Sequence, residues 1–395
     1  MHTEPANEPP RTSVPSAKNQ TSGGSPAGGD SSGTTGAVHA RGTVTARGRL
    51  GQIGGIRIAG TGSYVPENCV TNEDLAALGC DSDWIIRRTG IRERRHAAPD
   101  QATSDMCYEA ARRCLENAGV KVEDIDLIVV ATITPDTPTP STACQVQSRL
   151  GASAPAIDLS AACSGFTYAL VTAAQFVATG NAENALVIGA DLMSRTIDPE
   201  DKKIFPLFGD AAAAALVTPS HPASDVPEET TPQAADDNAP LTDGIIAYQL
   251  GSEGCFGDML CINAGGSRQP LTPERFEAGE HYMKMDGRGV FKWAVRVVDE
   301  SAKDVMAHAG LSPDDLSLLI LHQANQRIID SAVSDLGVDP SKVFVNLDRF
   351  GNTSAASIPL ALDEAVQAGR LKRGDLVLMS GFGAGLAWGT LILRW

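Results

Sequence analysis

The chain is poor in aromatic residues, in positive charge and in long apolar runs. Aromatics make up only 5% of its 395 residues. Lys and Arg number 32 against 48 Asp and Glu, a net charge of −16. A nucleic-acid binder needs a basic surface to neutralise phosphates, so no nucleic-acid partner is expected. No uninterrupted apolar stretch reaches bilayer-spanning length, so no membrane association is expected either. No basic start followed by an apolar run marks a secretory leader. The eight cysteines contain no C-x-x-C pair, which removes the usual zinc and redox signatures. No metal is therefore expected. Eight thiols without a disulfide framework suit a reducing, cytoplasmic compartment.

What is present is ordinary globular material: 42% hydrophobic and 20% charged residues, ample for a core. Residues 1–50 are rich in Pro, Gly, Ser, Thr and Asn, with almost no large apolar side chain. Such a segment cannot offset its ordering entropy by burial, and a disordered tail is expected there. Residues 222–243 form an acidic, Pro/Ala-rich stretch that includes Glu228-Glu229 and Asp236-Asp237. They read as a surface insertion between the strands Ala214-Leu216-Val217 and Ile245-Ile246-Ala247-Tyr248. Two halves remain, 51–221 and 244–395.

The halves echo each other. Asn117-Ala118-Gly119-Val120 leads through an acidic turn to the apolar run Leu127-Ile128-Val129-Val130. His308-Ala309-Gly310-Leu311 leads in the same way to Leu318-Leu319-Ile320-Leu321. Gly after Ala suits a left-handed helix C-terminus. A continuous apolar strand is one covered by helices on both faces. A duplicated α/β fold follows. Corresponding turns of two packed halves should meet near the middle.

One such turn carries a cysteine. Ala156-Ile157 into Leu159 reads as the end of a strand, and Phe166 to Thr179 as a helix without a single charged residue. Cys163 lies between them, where the unpaired N–H groups and positive dipole end of the helix should favour a thiolate nucleophile. The turn has its echo after Val343-Phe344-Val345, in Gly351-Asn352-Thr353-Ser354-Ala355-Ala356-Ser357. His322 follows its apolar strand directly and is expected to open the helix Gln323 to Ile329. Strand ends are where α/β sheets gather their reacting groups.

Three segments together, Ala162-Cys163-Ser164-Gly165-Phe166, His322-Gln323-Ala324-Asn325 and Gly351-Asn352-Thr353-Ser354-Ala355-Ala356, resemble the catalytic signatures of β-ketoacyl-acyl carrier protein synthase III. That family belongs to the thiolase-like condensing enzymes. The resemblance spans about Ile53 to Trp395. It implies a thiolase-like duplicated α/β fold in five layers, αβαβα. It also implies acyl-CoA and malonyl-acyl carrier protein as substrates, a homodimer, and no cofactor, since the coenzyme A thioester is itself a substrate. Cys163 would be acylated, and His322 and Asn352 would stabilise the enolate left by decarboxylation. The Cys163 and Ala384 backbone N–H groups would form the oxyanion hole of the acyl-cysteine. Trp84 and Arg88, in a run from Asp83 to Ile91 that resembles the family's coenzyme A entrance, would hold the adenine with Lys202. Gln323, Arg327 and Lys292 would meet the acidic carrier protein. Thr139 stands in the loop that caps the partner's acyl pocket across the dimer, where some members carry an aromatic ring. The apolar strand Ala185-Leu186-Val187-Ile188-Gly189 is expected near the two-fold interface.

Four other chemistries fit less well. A starter-unit acyltransferase or condensing enzyme of a polyketide pathway shares the fold, but a pure acyltransferase does not need the His322 and Asn352 pair. A thiolase needs a second cysteine near the final glycine-rich loop, and Ser380 to Gly385 has none. An elongating synthase would have histidine in place of Asn352. A Cys-His-Asn hydrolase needs water at the acyl-cysteine, whereas Cys163 begins an apolar helix.

Overall fold

The structure is a computed structural model and describes residues 48–220, 241 and 243–395. Two strands come first, β1 (Arg49–Ile53) and β2 (Ile56–Tyr64). A hairpin of β3 (Asn68–Thr71) and β4 (Glu93–His96) brackets the exposed helix α1 (Ser82–Thr89). The first half continues with α2 (Thr103–Ala118), β5 (Leu127–Ala131), α3 (Thr142–Leu150), β6 (Ala156–Leu159), α4 (Gly165–Ala178), β7 (Ala185–Leu192) and β8 (Asp210–Pro219). The second half opens with β9 (Gly244–Ser252). The short pair β10 (Leu260–Ile262) and β11 (Met283–Met285) follows, flanking α5 (Pro273–Glu277). Then come α6 (Gly287–Ala309), β12 (Leu318–Leu321), α7 (Gln326–Leu336), α8 (Leu347–Phe350), α9 (Ser357–Gln367), β13 (Leu376–Gly383) and β14 (Ala387–Arg394).

The strands form two five-stranded sheets, ordered β2-β8-β7-β5-β6 and β1-β9-β14-β13-β12. In each, a parallel pair (β5 with β7, β12 with β13) is joined to antiparallel neighbours. The repeat seen in the sequence is the reason. Gly119 and Gly310 close α2 and α6 with φ of 67° and 66°, and both helices lead to apolar strands, β5 and β12, that are buried along their length. α2 and α3 cover the outer face of the first sheet, and α6 with α7 the outer face of the second. Between the sheets lie α4 and α9. This is the five-layered thiolase-like arrangement.

The middle layer explains the uncharged helix. Phe166 and Leu170 on α4 are fully buried, and burying each contributes roughly 1.5–3 kcal/mol. Two of its threonine hydroxyls are satisfied internally, Thr167 Oγ1 donating to the Ser164 carbonyl at 2.7 Å and Thr172 Oγ1 to the Tyr168 carbonyl at 2.8 Å, and the Tyr168 hydroxyl donates to the Gly251 carbonyl of β9 at 2.8 Å.

Four expectations change. Arg49 and Leu50 belong to β1, so the tail assigned to residues 1–50 reaches two residues too far; residues 1–47 and 221–240 lie outside the described residues. β1 pairs with β9, and the first strand of the chain therefore serves the sheet of the second half. The strand expected at a two-fold interface, β7, is an interior strand between β5 and β8. The edge strands of that sheet are β2 and β6, and on β6 Ile157 is 42% exposed. Finally, α7 starts at Gln326 rather than Gln323, because Asn325 Oδ1 caps it by accepting the Arg327 N–H at 2.9 Å. Among the described residues no helix is long and apolar enough to cross a membrane.

A chain starting at Gly48 is expected to keep its melting temperature and condensation rate. A chain starting at Gly55 loses β1 and the burial of Ile53, 4% exposed, worth roughly 1.5–3 kcal/mol. Calorimetry should show the second truncation melting several degrees lower.

Candidate active site

The nucleophile candidate sits on a strained, tightly covered turn. After β6 the chain makes a single 3-10 turn, Ala162–Ser164, whose first residue has φ 47°. β13 passes directly over it. A Cβ on Gly383 would lie 2.8 Å from the Cys163 nitrogen and 3.2 Å from its Sγ, and one on Gly381 would lie 3.1 Å from its carbonyl oxygen. Only glycine allows that approach, which accounts for Gly381 and Gly383. Ala384, next in line, reaches the same cavity as Cys163.

The sequence suggested a thiolate, and the structure corrects this. Cys163 is 8% exposed, and burial pushes its thiol up to about 12, with the Ser354 hydroxyl at 3.5 Å pulling the other way. Set against the unperturbed 9.0, this corresponds to about 4 kcal/mol. A helix end pulls the other way by roughly 0.3–2 kcal/mol, and burial favours the thiol. The nearest buried carboxylate, Asp191, is enclosed by donors. Its Oδ1 accepts from Thr132 Oγ1 (3.0 Å), the Ile133 N–H (2.8 Å) and Thr134 Oγ1 (3.1 Å), and its Oδ2 accepts from the Ala355 N–H (3.1 Å). Burial still raises its pKa.

His322 extends the register of β12, its N–H donating to the Ser380 carbonyl at 2.8 Å. That ladder bond holds it in a turn ahead of α7. Its Nδ1 lies 2.6 Å from Ser357 Oγ, and Phe382 meets the ring edge-on with centroids 5.1 Å apart. Burial, with no carboxylate to compensate, pushes its pKa down to about 3. The imidazole is neutral.

Asn352 is fixed by its backbone and by one side-chain atom. Its N–H donates to the Leu207 carbonyl (2.8 Å), and its carbonyl accepts from the Gly209 N–H (3.0 Å). Oδ1 accepts the Ser354 N–H at 2.9 Å. That bond sets the amide orientation and leaves Nδ2 as an unspent donor among the described residues. The adjoining loop rests on Arg94, a fully buried guanidinium that donates to the Pro206 carbonyl (2.8 Å), the Val70 carbonyl (3.0 Å) and Asn72 Oδ1 (2.7 Å).

Cys163, His322, Asn352 and Ala384 line one cavity of about 110 Å³, walled otherwise mainly by apolar groups such as Leu207, Phe208, Met283 and Val290. The volume holds about three or four water-sized groups. Asn325 also lines it and donates from Nδ2 to the Arg88 carbonyl at 3.1 Å, which sets α1 at the cavity's rim. On α1, the Arg88 guanidinium lies 5.7 Å from the centre of the Trp84 ring, itself 38% exposed. Lys202 reaches the foot of α1, its Nζ near Gly79 and its carbonyl accepting from the Cys80 thiol. Lys292 and Arg327 are both exposed beside Phe291, a cavity residue, with Arg327 lying 5.5 Å over that ring.

One expectation fails here. Gln323 cannot meet a carrier protein: it is 1% exposed, and its amide donates to the Leu321 carbonyl (2.7 Å) and accepts the Asn346 N–H (3.1 Å). Within this chain Thr139 lines a groove along β6 with Ile157, outside the catalytic cavity. Sequence reasoning also missed Ser354, Ser357, Asp191 and Phe382. The signal for Ser354 and Ser357 was the run of small polar residues after Asn352, which reads as a turn; Asp191 and Phe382 lie in β7 and β13 and carried no such signal.

Comparison with known proteins places this geometry in a family. The family model 3-oxoacyl-[acyl-carrier-protein] synthase III matches residues 157–230, and its C-terminal counterpart matches residues 306–395. The first match contains Cys163, the second His322 and Asn352. A β-ketoacyl-[acyl-carrier-protein] synthase III of Rhodopirellula baltica is 71% identical over 346 residues, 88% of this chain and 100% of the relative. Its counterpart in Symbiobacterium thermophilum is 51% identical over 86% of this chain and 98% of the relative. Among solved structures, the synthase III of Aquifex aeolicus has a TM-score of 0.76 at 42% identity, covering 86% of this chain and 100% of that one. A priming β-ketosynthase from a polyketide pathway has a TM-score of 0.75 at 38% identity, covering 87% and 97%. The chain belongs to the β-ketoacyl-[acyl-carrier-protein] synthase III family of condensing enzymes.

Proposed function

We propose that this chain performs the initiating condensation of fatty-acid biosynthesis. An acyl-CoA primer and malonyl-acyl carrier protein give β-ketoacyl-acyl carrier protein, coenzyme A and CO2. The observation that carries the reading is one largely apolar cavity shared by a cysteine, a neutral histidine and an asparagine whose amide N–H is unspent.

In the first half-reaction the Cys163 sulfur attacks the primer thioester. The C–S bond to coenzyme A breaks, and the thiol proton leaves on the coenzyme's sulfur. The Cys163 and Ala384 N–H groups would receive the oxyanion, since both residues line the cavity. In the second half-reaction malonyl thioester loses CO2, and the electron pair of the broken C–C bond becomes an enolate. His322 and Asn352 donate to its oxygen, where charge develops. The carbon then attacks acyl-Cys163, the C–S bond breaks, and the released thiolate takes up a proton from solvent.

Trp84, Arg88 and Lys202 are the proposed nucleotide contacts. Lys292 and Arg327 are the proposed carrier-protein contacts. The proposal includes no metal or prosthetic group; among the described residues no cluster of His, Cys, Asp and Glu could hold a metal ion. A homodimer formed along the open edge of β6 would bring a partner against Ile157 and the Thr139 loop. A cytoplasmic setting suits the free cysteines of the described residues. A polyketide-priming role would use the same steps. The 71% identity to a named synthase III against 38% to the polyketide enzyme favours the fatty-acid role.

Incubation with acyl-CoA, with and without malonyl carrier protein, tests the reading. Acyl-Cys163 alone, then ketoacyl product on adding malonyl carrier protein, is expected; free acid would indicate a hydrolase. His322→Ala and Asn352→Ala should retain self-acylation and lose about 10²–10³ in malonyl decarboxylation. Equal loss of both half-reactions would contradict the division of labour.

The buried thiol gives a pH signature. In the free enzyme, alkylation of Cys163 by iodoacetamide should be slow at neutral pH and still rising beyond 9.0, the ordinary thiol value. A plateau reached below neutrality would show a thiolate at rest.

Primers bulkier than acetyl should also be accepted, because threonine at position 139 fills less space than an aromatic ring in a pocket completed by the partner. Each buried methylene would favour binding by about 0.8 kcal/mol. A panel of acetyl-, isobutyryl- and longer acyl-CoA decides it: preference for acetyl-CoA, unchanged by Thr139→Phe, would remove Thr139 from the pocket.

A further inference from the structure

Only one of the two ring nitrogens of His322 can face the substrate, and as an oxyanion donor that nitrogen must carry the proton. We propose that Ser357, the first residue of α9, is a positioning residue that locks His322 in the tautomer protonated on Nε2. The proposal rests on the oxyanion role given to His322 above and names what enforces it.

The argument is a count of protons and lone pairs. Ser357 Oγ has two neighbours among the described residues, His322 Nδ1 at 2.6 Å and the Gln323 N–H at 3.3 Å. The Gln323 N–H can only donate, so it occupies one lone pair of the hydroxyl. The hydroxyl proton must then go to Nδ1, the one acceptor available to it. If Nδ1 carried the ring proton instead, Ser357 would receive two donors and its own proton would be stranded. Ser357 is 1% exposed, so no bulk water relieves that. A stranded buried donor biases the tautomer ratio by about tenfold or more.

The surroundings offer no competing control. The ring meets the Phe382 edge from β13, shares its cavity with the Cys163 thiol and the Asn352 amide, and lies beside α6 residues Val290 and Phe291. None of these carries a charge. Among the described residues Ser357 Oγ is the one hydrogen-bond partner of a ring nitrogen. The placement follows from the duplication: the turn Ser354–Ala356 that brings Ser354 to Cys163 continues directly into α9 and brings Ser357 to His322.

Nitrogen NMR of the full chain with isotope-labelled histidine reads the tautomer directly, with the His322 signals assigned by their absence in His322→Gln. The wild type should show a protonated Nε2 and a bare, hydrogen-bonded Nδ1 at neutral pH. Ser357→Ala should shift the ring towards a tautomer mixture and lower kcat for malonyl decarboxylation about tenfold. KM for the malonyl carrier protein and the self-acylation rate should change little, and Ser357→Thr should restore both the signals and the rate. A wild-type ring protonated on Nδ1 overturns the proposal. So do unchanged nitrogen signals in Ser357→Ala, whether or not activity and melting temperature fall together. A tautomer shift with undiminished decarboxylation supports the lock and overturns the oxyanion role of His322 instead.

Discussion

The site depends on two short turns pressed against each other where the two central helices begin. Ala162 and Ser354 open them with φ of 47° and 51°, and they are the non-glycine residues with positive φ among the described residues. An L-residue in that region costs about 1–2 kcal/mol. The strain is held by close packing. Gly189 on β7 would put a Cβ 2.3 Å from the Ala355 carbonyl oxygen, and Gly383 on β13 would put one 2.9 Å from the Cys163 Cβ. Each turn is thus clamped by a strand that has no side chain at the point of contact. The first turn aims Cys163 into the cavity. The second carries Asn352 at its start, Ser354 against Cys163 and Ser357 against His322. A single backbone path therefore fixes the surroundings of all three groups proposed to react.

Much of this was legible in the sequence because it repeats. The matched Ala-Gly helix ends and apolar strands reported the duplication, and the duplication put Cys163 and Asn352 at meeting turns. What was not legible is tertiary. An apolar strand such as β7 looks the same whether it lies inside a sheet or at a subunit edge, since only strand order separates the two. β1 precedes the first half in sequence yet pairs with β9, and nothing local in Arg49–Ile53 announces that. Gln323 reads as a surface polar residue, but its amide closes backbone groups left open by the turn between β12 and α7. The thiol was misjudged for a related reason. A helix terminus is a local feature visible in sequence, whereas burial by a strand more than 200 residues away is not.

That burial acts in opposite directions on the two half-reactions. At rest the cavity holds a thiol, a neutral imidazole and an amide, so its apolar walls enclose no charge. Thiolate formation is opposed, but acyl transfer needs no free thiolate when the proton can depart with the coenzyme's sulfur. Decarboxylation gains from the same burial. The enolate would be the one charge in a medium of low dielectric, where a fixed donor acts more strongly than it does in water. Because Asn352 Oδ1 and His322 Nδ1 are already tied back, the two donors need no reorganisation as that charge appears. Excluding water also protects the carbanion from being protonated before it reaches acyl-Cys163. The desolvation that raises the thiol's pKa is thus the condition under which the carbon nucleophile survives long enough to form the new bond.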